Sequence, residues 1–180
     1  MIPSIRYVLG IDPGKTGAMA IFERTSVNVG DSVFPTYKLI DIYDYGDNFK
    51  IVHYLANTPT IVTDEVIHMY AFIENVHAAP GQSVSAMFNF GQNLGWWKGV
   101  LDALDIPYQS IAPQSWSPYM LGKTDNKKIR AREVATKKFS RFVDKTTDDE
   151  GKSWFRLAKH DGRADACLIA WYGIKKYILT

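Results

Sequence analysis

"VLGIDPGKTGAMAIF", residues 8–22, decides how the chain is read. Its Gly14-Lys15-Thr16 invites comparison with the nucleotide-cradling loop G-x-x-x-x-G-K-[ST]. In that loop the first glycine would fall at position 9, which is Leu9. Gly10 is one residue too close, and Asp12 and Pro13 lie between. A carboxylate repels phosphate, and proline lacks one of the N–H donors a phosphate nest needs. The segment reads instead as a buried strand, "IRYVLGID" (5–12), a tight Pro-Gly turn, and a second strand, "GAMAIFER" (17–24). A residue before proline favours extended geometry, which keeps Asp12 in the strand. Lys15 and Thr16 become turn residues, and the feature to explain is an aspartate closing an apolar strand.

The 180 residues suit one domain spanning 1–180. Hydrophobic content of 46% and aromatic content of 13% fit a packed globular core. No apolar run approaches the roughly 18 residues of a membrane-spanning helix. The opening "MIPSIRYVLG" has no cleavable signal architecture. A lone Cys167 excludes an internal disulfide framework and a multi-cysteine zinc site. A reducing, cytoplasmic setting is expected, with Cys167 a small buried residue in a helix.

Net charge is only +2, but its distribution is uneven. Lys123, Lys127, Lys128, Arg130, Arg132, Lys137, Lys138, Arg141 and Lys145 crowd 23 positions, against Asp125, Glu133 and Asp144. Such a block fits either a polyanionic partner or a solvated helix face.

Along the chain, "YKLIDIYD" (37–44) reads as a third strand and 48–56 as a short helix, while 60–68 stays ambiguous. "MYAFIENV" (69–76) is an apolar strand carrying Glu74 near its end. A long helix follows over 83–103, with Met87, Phe90, Leu94, Trp97, Leu101 and Leu104 recurring at helical steps as its core face. "PYQSIA" (107–112) is a strand and "PQSWSPYMLG" a proline-started helix closed by Gly122. A polar loop, a basic helix "KIRAREVATKKF", a linker "DKTTDDEGK" and a last helix over 161–179 complete the chain. There are no repeats. Strands first, then alternating helices and strands, indicate a mixed α/β sheet.

Acidic residues are depleted in strands and rarely buried. Asp12 and Glu74 each close an apolar strand, where open α/β sheets place their sites. In "HDGRADACLIAWYG", Asp161 and Asp165 are four apart and share a helix face. Taken singly, Asp161 reads as a helix cap, Asp12 as an Asx-turn residue, and Glu74 as half of a lysine pair. Together they place carboxylates on three separate apolar elements. Converging carboxylates repel unless they share protons or bind cations. Oxygen-only donors favour a hard ion, Mg²⁺ or Mn²⁺. Two such ions about 3.5–4 Å apart would suit phosphodiester hydrolysis.

"LGIDPGKTGAMAIF", "AFIENV" and "HDGRADACLIA", in this order, resemble the RuvC-type Holliday junction resolvases, particularly the compact bacteriophage versions. The similarity runs from Tyr7 to Tyr172. It implies an RNase H-like fold, a mixed five-stranded β-sheet flanked by α-helices, and a homodimer. It also implies a Mg²⁺-dependent endonuclease that cuts opposed strands of a four-way DNA junction, with two ions per site and Mn²⁺ as a substitute. By this resemblance Asp12 is the acid bridging both metals, Glu74 the second-strand carboxylate and Asp165 the acid of the "ADA" helix motif. Asp161 stands four residues before Asp165, where members usually carry a partner acid or histidine at three. His160 is a second candidate for that role.

The family's lysine ahead of the basic helix is missing, since 108–122 contains no lysine or arginine. Lys127 or Lys128 could contact the scissile phosphate, with Arg130 adding to the DNA surface. Where the family presents a wedging aromatic, this chain offers His77, with Phe88 and Phe90 as alternatives assigned first to the core. Gly91, Gly95 and Gly99, every fourth residue of the long helix, suggest a close approach, to the sheet or to a second subunit. A phosphotransferase of the actin, Hsp70 and sugar-kinase type shares the opening hairpin but needs a second domain and phosphate loop. A non-catalytic junction-binding protein is the third reading. The range of branched substrates, and any base preference, stay open.

Overall fold

Side chains alternate across the first strand, and that alternation sets up both cores. A computed structural model describes residues 4–58, 66–75, 83–139, 154–155 and 157–179. Strand β1 (Ser4–Asp12) sends Leu9 and Ile11 to one face and Val8 to the other. Gly10 and Asp12 share parity with Val8. Strands β2 (Ala18–Val29) and β3 (Ser32–Asp44) follow antiparallel, then helix α1 (Asn48–Asn57) and strand β4 (Val66–Glu74). Helix α2 (Val84–Ala103), strand β5 (Tyr108–Ile111), and helices α3 (Pro113–Leu121), α4 (Lys127–Phe139) and α5 (Asp161–Gly173) complete it. The sheet order is β3-β2-β1-β4-β5, with β4 parallel to both β1 and β5. This is the mixed five-stranded sheet expected, with helices on both faces.

One core joins Val8, Phe22, Leu39 and Phe72 to α3, α4 and α5. The other joins Leu9, Ile11, Ile21 and Ile73 to Ile51 and Leu55 of α1 and Trp97 and Leu101 of α2. Helix α5 lies directly on β1 because position 10 is glycine: a Cβ there would meet the Ala166 carbonyl at 2.1 Å. Cys167 is buried in α5, as expected.

The observed bounds lie within one residue of those expected for β1 and β5, and β3 ends at Asp44 as expected, whereas β4 begins three residues early, at Val66, and the β2–β3 hairpin is longer. Pairing of β2 with β1 stops at Glu23, yet β2 and β3 run on together as a two-stranded arm to a turn at Gly30-Asp31. Gly30 takes a left-handed φ of 59°, which suits a two-residue hairpin turn. The sequence reading ended the second strand at Arg24 and began the third at Tyr37. The arm leaves Val27, Val29, Val33 and Phe34 exposed, so burial gives it no pattern to read.

Helix α2 begins as expected, Ser83 Oγ accepting the Ala86 N–H at 3.2 Å. Its core face is shorter than the periodicity implies. Only Asn93, Trp97 and Leu101 are buried, whereas Met87, Phe90, Leu94 and Leu104 are half-buried and Phe88 is 64% exposed. Phe88 is therefore not a core residue. Gly91, Gly95 and Gly99 face open space, which removes packing on their own sheet as the reason for the stripe. The last helix ends at Gly173 and passes into a π-helical turn, Ile174–Ile178. The linker "DKTTDDEGK" and His77 lie outside the described residues.

Candidate active site

Asp12 and Glu74 end neighbouring parallel strands whose register pairs Ile11 with Ile73. They therefore leave the sheet level with one another, on the face that α5 covers. A register slip of one residue would present Ile73 in place of Glu74. The turn after Asp12 is tight: the Gly17 N–H donates to the Gly14 carbonyl at 2.9 Å. The Gly14 N–H donates to Asp12 Oδ1 at 2.8 Å. The Asx reading of Asp12 is thus correct for one oxygen and leaves Oδ2 for other work.

Asp161 and Asp165 come from the start of α5, which sits on this same turn. A Cβ at Gly162 would meet the Thr16 carbonyl at 1.9 Å and Gly17 Cα at 2.7 Å, so only glycine permits the contact. Arg163 fixes the helix from the other side, its Nε donating to Asp44 Oδ1 at 2.6 Å and Nη2 to Oδ2 at 2.5 Å. Asp44 pairs with Ala18, which pairs with Asp12, so the clamp lies at the level of the acids.

Three of the four acids have raised proton affinity, each through burial and the charge of another acid. Burial, reinforced by Asp161, pushes Asp12 up to about 6 despite the Gly14 N–H and Lys128. Burial and the Asp12 charge push Glu74 up to about 7. Asp165 is held well above the usual carboxylate range by burial, then by Asp12, Glu74 and Asp161. Such a cluster resists ionisation unless positive charge joins it.

Part of that charge comes from α4, whose first turn is capped by Asn126 Oδ1 accepting the Ile129 N–H at 3.2 Å. Lys128 Nζ lies 3.7 Å from Asp161 Oδ2, and Arg132 Nε lies 3.1 Å from Asp161 Oδ1. Lys128 also lowers the proton affinity of Asp12 and Asp165, and Lys127 that of Glu74. Among the described residues, Asp161 alone of the four acids stands in ion pairs with two cations.

Arg130 stands apart, its Nε donating to the Leu121 carbonyl at 3.4 Å and Nη1 pairing with Glu133 at 3.4 Å. His160 is buried, and its Nδ1 accepts the Leu157 N–H at 3.3 Å. The packed start of α5 encloses it.

Two contributors escaped the sequence reading. Trp116, in the first turn of α3, donates its indole N–H to Glu74 Oε1 at 2.8 Å. A buried indole N–H needs an acceptor, and Trp116 follows the strand beside Glu74, so a signal existed. Arg132 gave none beyond its place in a basic block.

In kind, Asp12, Glu74, Asp165 and Asp161 offer a hard-oxygen donor set suited to a divalent cation. Among the described residues, no three acidic, histidine or cysteine side chains stand close enough, as placed, to hold one ion between them.

The mixed five-stranded sheet with its flanking helices matches the RuvC, RNase H-like fold. The solved structure of Thermus thermophilus RuvC matches over 94% of this chain and 95% of its own, at TM-score 0.54 and 13% identity. T. thermophilus RuvC in complex with Holliday junction substrate matches over 95% and 96%, at TM-score 0.50 and 11% identity. No protein-family model matches the chain. No curated protein matches it either. Among the described residues, no helix is long and apolar enough to cross a membrane.

Proposed function

We propose that the chain is a structure-selective DNA endonuclease that resolves four-way junctions, working as a homodimer of one-domain subunits in the cytoplasm. The observation that carries this is the meeting of Asp12, Glu74 and Asp165, from β1, β4 and α5, each with raised proton affinity. The RuvC fold, and a solved RuvC bound to a junction, support the choice of substrate.

Asp12, Glu74 and Asp165 would hold two divalent cations, Mg²⁺ or Mn²⁺, once side-chain movement closes them. Bound there, such ions supply an activated water and stabilise the leaving oxygen of a phosphodiester, giving 5′-phosphate and 3′-hydroxyl ends. Asp12 Oδ1 and Glu74 Oε1 each accept an N–H, which leaves each carboxylate's second oxygen to serve as a ligand. Lys128, 78% exposed, is free to leave Asp161 for a phosphate oxygen and offset charge developing there. Lys127 stands beside it. Arg132 keeps Asp161 neutralised, so Asp161 acts more through α4 than as an equal ligand. Junction shape and phosphate contacts would dominate recognition, so affinity should fall steeply with salt.

The test is a panel of labelled four-way, three-way, flap and linear DNAs incubated with Mg²⁺. Four-way junctions should be cut, and Asp12→Asn should bind them without cutting. Wild-type cleavage rates in that variant would refute the site. Junction binding without cutting by the wild type, in Mg²⁺ and Mn²⁺ alike, would favour a non-catalytic binding protein.

A further inference from the structure

Two lysines approach one indole ring at the far end of α4 from the acids. Lys138 Nζ lies 5.1 Å from the centre of the Trp171 ring, and Lys175 Nζ lies 5.6 Å from the same ring. Trp171 is 8% exposed and wedged against Phe139 and Phe22, so its place is fixed. The indole draws both ammonium groups to it through their cation–π attraction. Each charge raises the cost of the other, and Lys138 is more easily deprotonated through burial and through Lys175. Among the described residues no carboxylate pairs with either lysine. Like charges held together this way are a standing attraction for an anion.

Their position gives the anion its identity. Lys127 and Lys138 are eleven residues apart on α4. At 3.6 residues per turn this is close to three full turns, so they lie on one stripe about 16 Å apart. Lys127 is the lysine whose charge reaches Glu74. Between them a shallow groove is lined by Arg130, Glu133, Val134, Lys137 and Lys138, with Glu133 already paired to Arg130. The stripe therefore starts at the acids and ends at the two lysines. Along the duplex axis each strand places a phosphate every 3.4 Å, so a run of 16 Å corresponds to about five base pairs of arm.

We propose that Lys138 and Lys175, carried on Trp171, form a distal phosphate clamp that grips a duplex arm about five base pairs from the cut. This rests on the nuclease reading and adds a required arm length to it. It also gives Arg130 a place, on the track to the clamp instead of among the acids.

The test uses the full chain carrying Asp12→Asn, so that junctions are bound and not cut. Affinity for a four-way junction is measured by fluorescence anisotropy across a salt series. Adding Lys138→Gln and Lys175→Gln should weaken binding about tenfold and flatten the log–log salt slope by about 2, the loss of two phosphate contacts. The Lys138→Arg, Lys175→Arg pair should restore both. Replacing the phosphates four to six base pairs along one arm, on both strands, with neutral methylphosphonates should weaken the parent similarly and cost the Gln variant little more. An unchanged slope in the Gln variant, or additive losses, overturns the clamp. So does a lowered melting temperature with unaltered affinity, which would make the lysines a structural cover for Trp171. A parent protein that binds no DNA at all overturns the nuclease reading itself, a result distinct from these.

Discussion

The Trp116 indole N–H donates to Glu74 Oε1 at 2.8 Å, fixing one oxygen of a carboxylate that burial pushes up to about 7. The bond favours the ionised form, so it works against burial and against the Asp12 charge. A hydrogen bond to a charged group contributes about 1.5–3 kcal/mol. Trp116→Phe should therefore lower cleavage at least tenfold and move the acidic limb of the pH–rate profile upward. In a Glu74→Gln background the same change should cost much less, because the acceptor's charge is gone. Equal losses in the two backgrounds would assign Trp116 to packing alone.

The raised acids also set a pH dependence of stability in protein without divalent ions. Unfolded, these carboxyls ionise near 4; folded, Asp12 does so at about 6 and Glu74 at about 7. Below pH 4 neither group distinguishes the two states. As pH rises from 4 to 7 the unfolded chain sheds protons first, so folding loses stability, on the order of 3 kcal/mol per group. In EDTA the melting temperature should fall by about ten degrees between pH 5 and 8, at roughly 2–4 °C per kcal/mol for this size. Asp12→Asn should flatten that fall, and millimolar Mg²⁺ at pH 8 should reverse it. A melting temperature that rises toward pH 8 in EDTA would contradict the charge cluster.

Gly162 sets the height of α5 over the turn that follows Asp12. Gly162→Ala would drive a Cβ into the Thr16 carbonyl, a backbone atom that cannot swing aside. The start of α5 must lift, taking Asp161 and Asp165 with it. A displacement of about 1 Å in a catalytic group can cost 10²-fold in rate. We expect that loss in cleavage, with the helical content by circular dichroism unchanged and junction binding retained. Wild-type cleavage by the variant would mean that the helix does not control the site.

The legible parts of this chain were those where burial constrains chemistry. Asp12 and Glu74 stood out because apolar strands tolerate carboxylates poorly, and their shared parity brought them together on the sheet. The sequence reading assigned Gly162 only as the place where a partner acid is absent. Its packing against Thr16 appears only once both segments are folded. The β2–β3 arm stayed hidden because exposed valines carry no burial pattern, although Gly30-Asp31 is a recognisable hairpin turn. The first half of α2 misled because its apolar spacing continues past the sheet it packs on, leaving Val84 and Phe88 in solvent. Lys128 was read as a phosphate contact and Arg132 only as part of the basic block; that both pair with Asp161 depends on where α4 docks.

The exposed glycines of α2 bear on the proposed homodimer. Gly91, Gly95 and Gly99 have nothing within 4 Å of a built Cβ, so the protein's own interior does not require them. Each costs about 1 kcal/mol relative to alanine inside a helix. A second subunit brought close along this stripe would account for that cost. Gly95→Leu should then shift the protein from dimer to monomer in sedimentation at micromolar concentration and abolish paired cutting of opposed junction strands. The far-UV spectrum should not change, because the leucine points into open space in the monomer. If Gly95→Leu instead raises the melting temperature and leaves the sedimentation coefficient where it was, the stripe is solvated. The two subunits must then meet elsewhere.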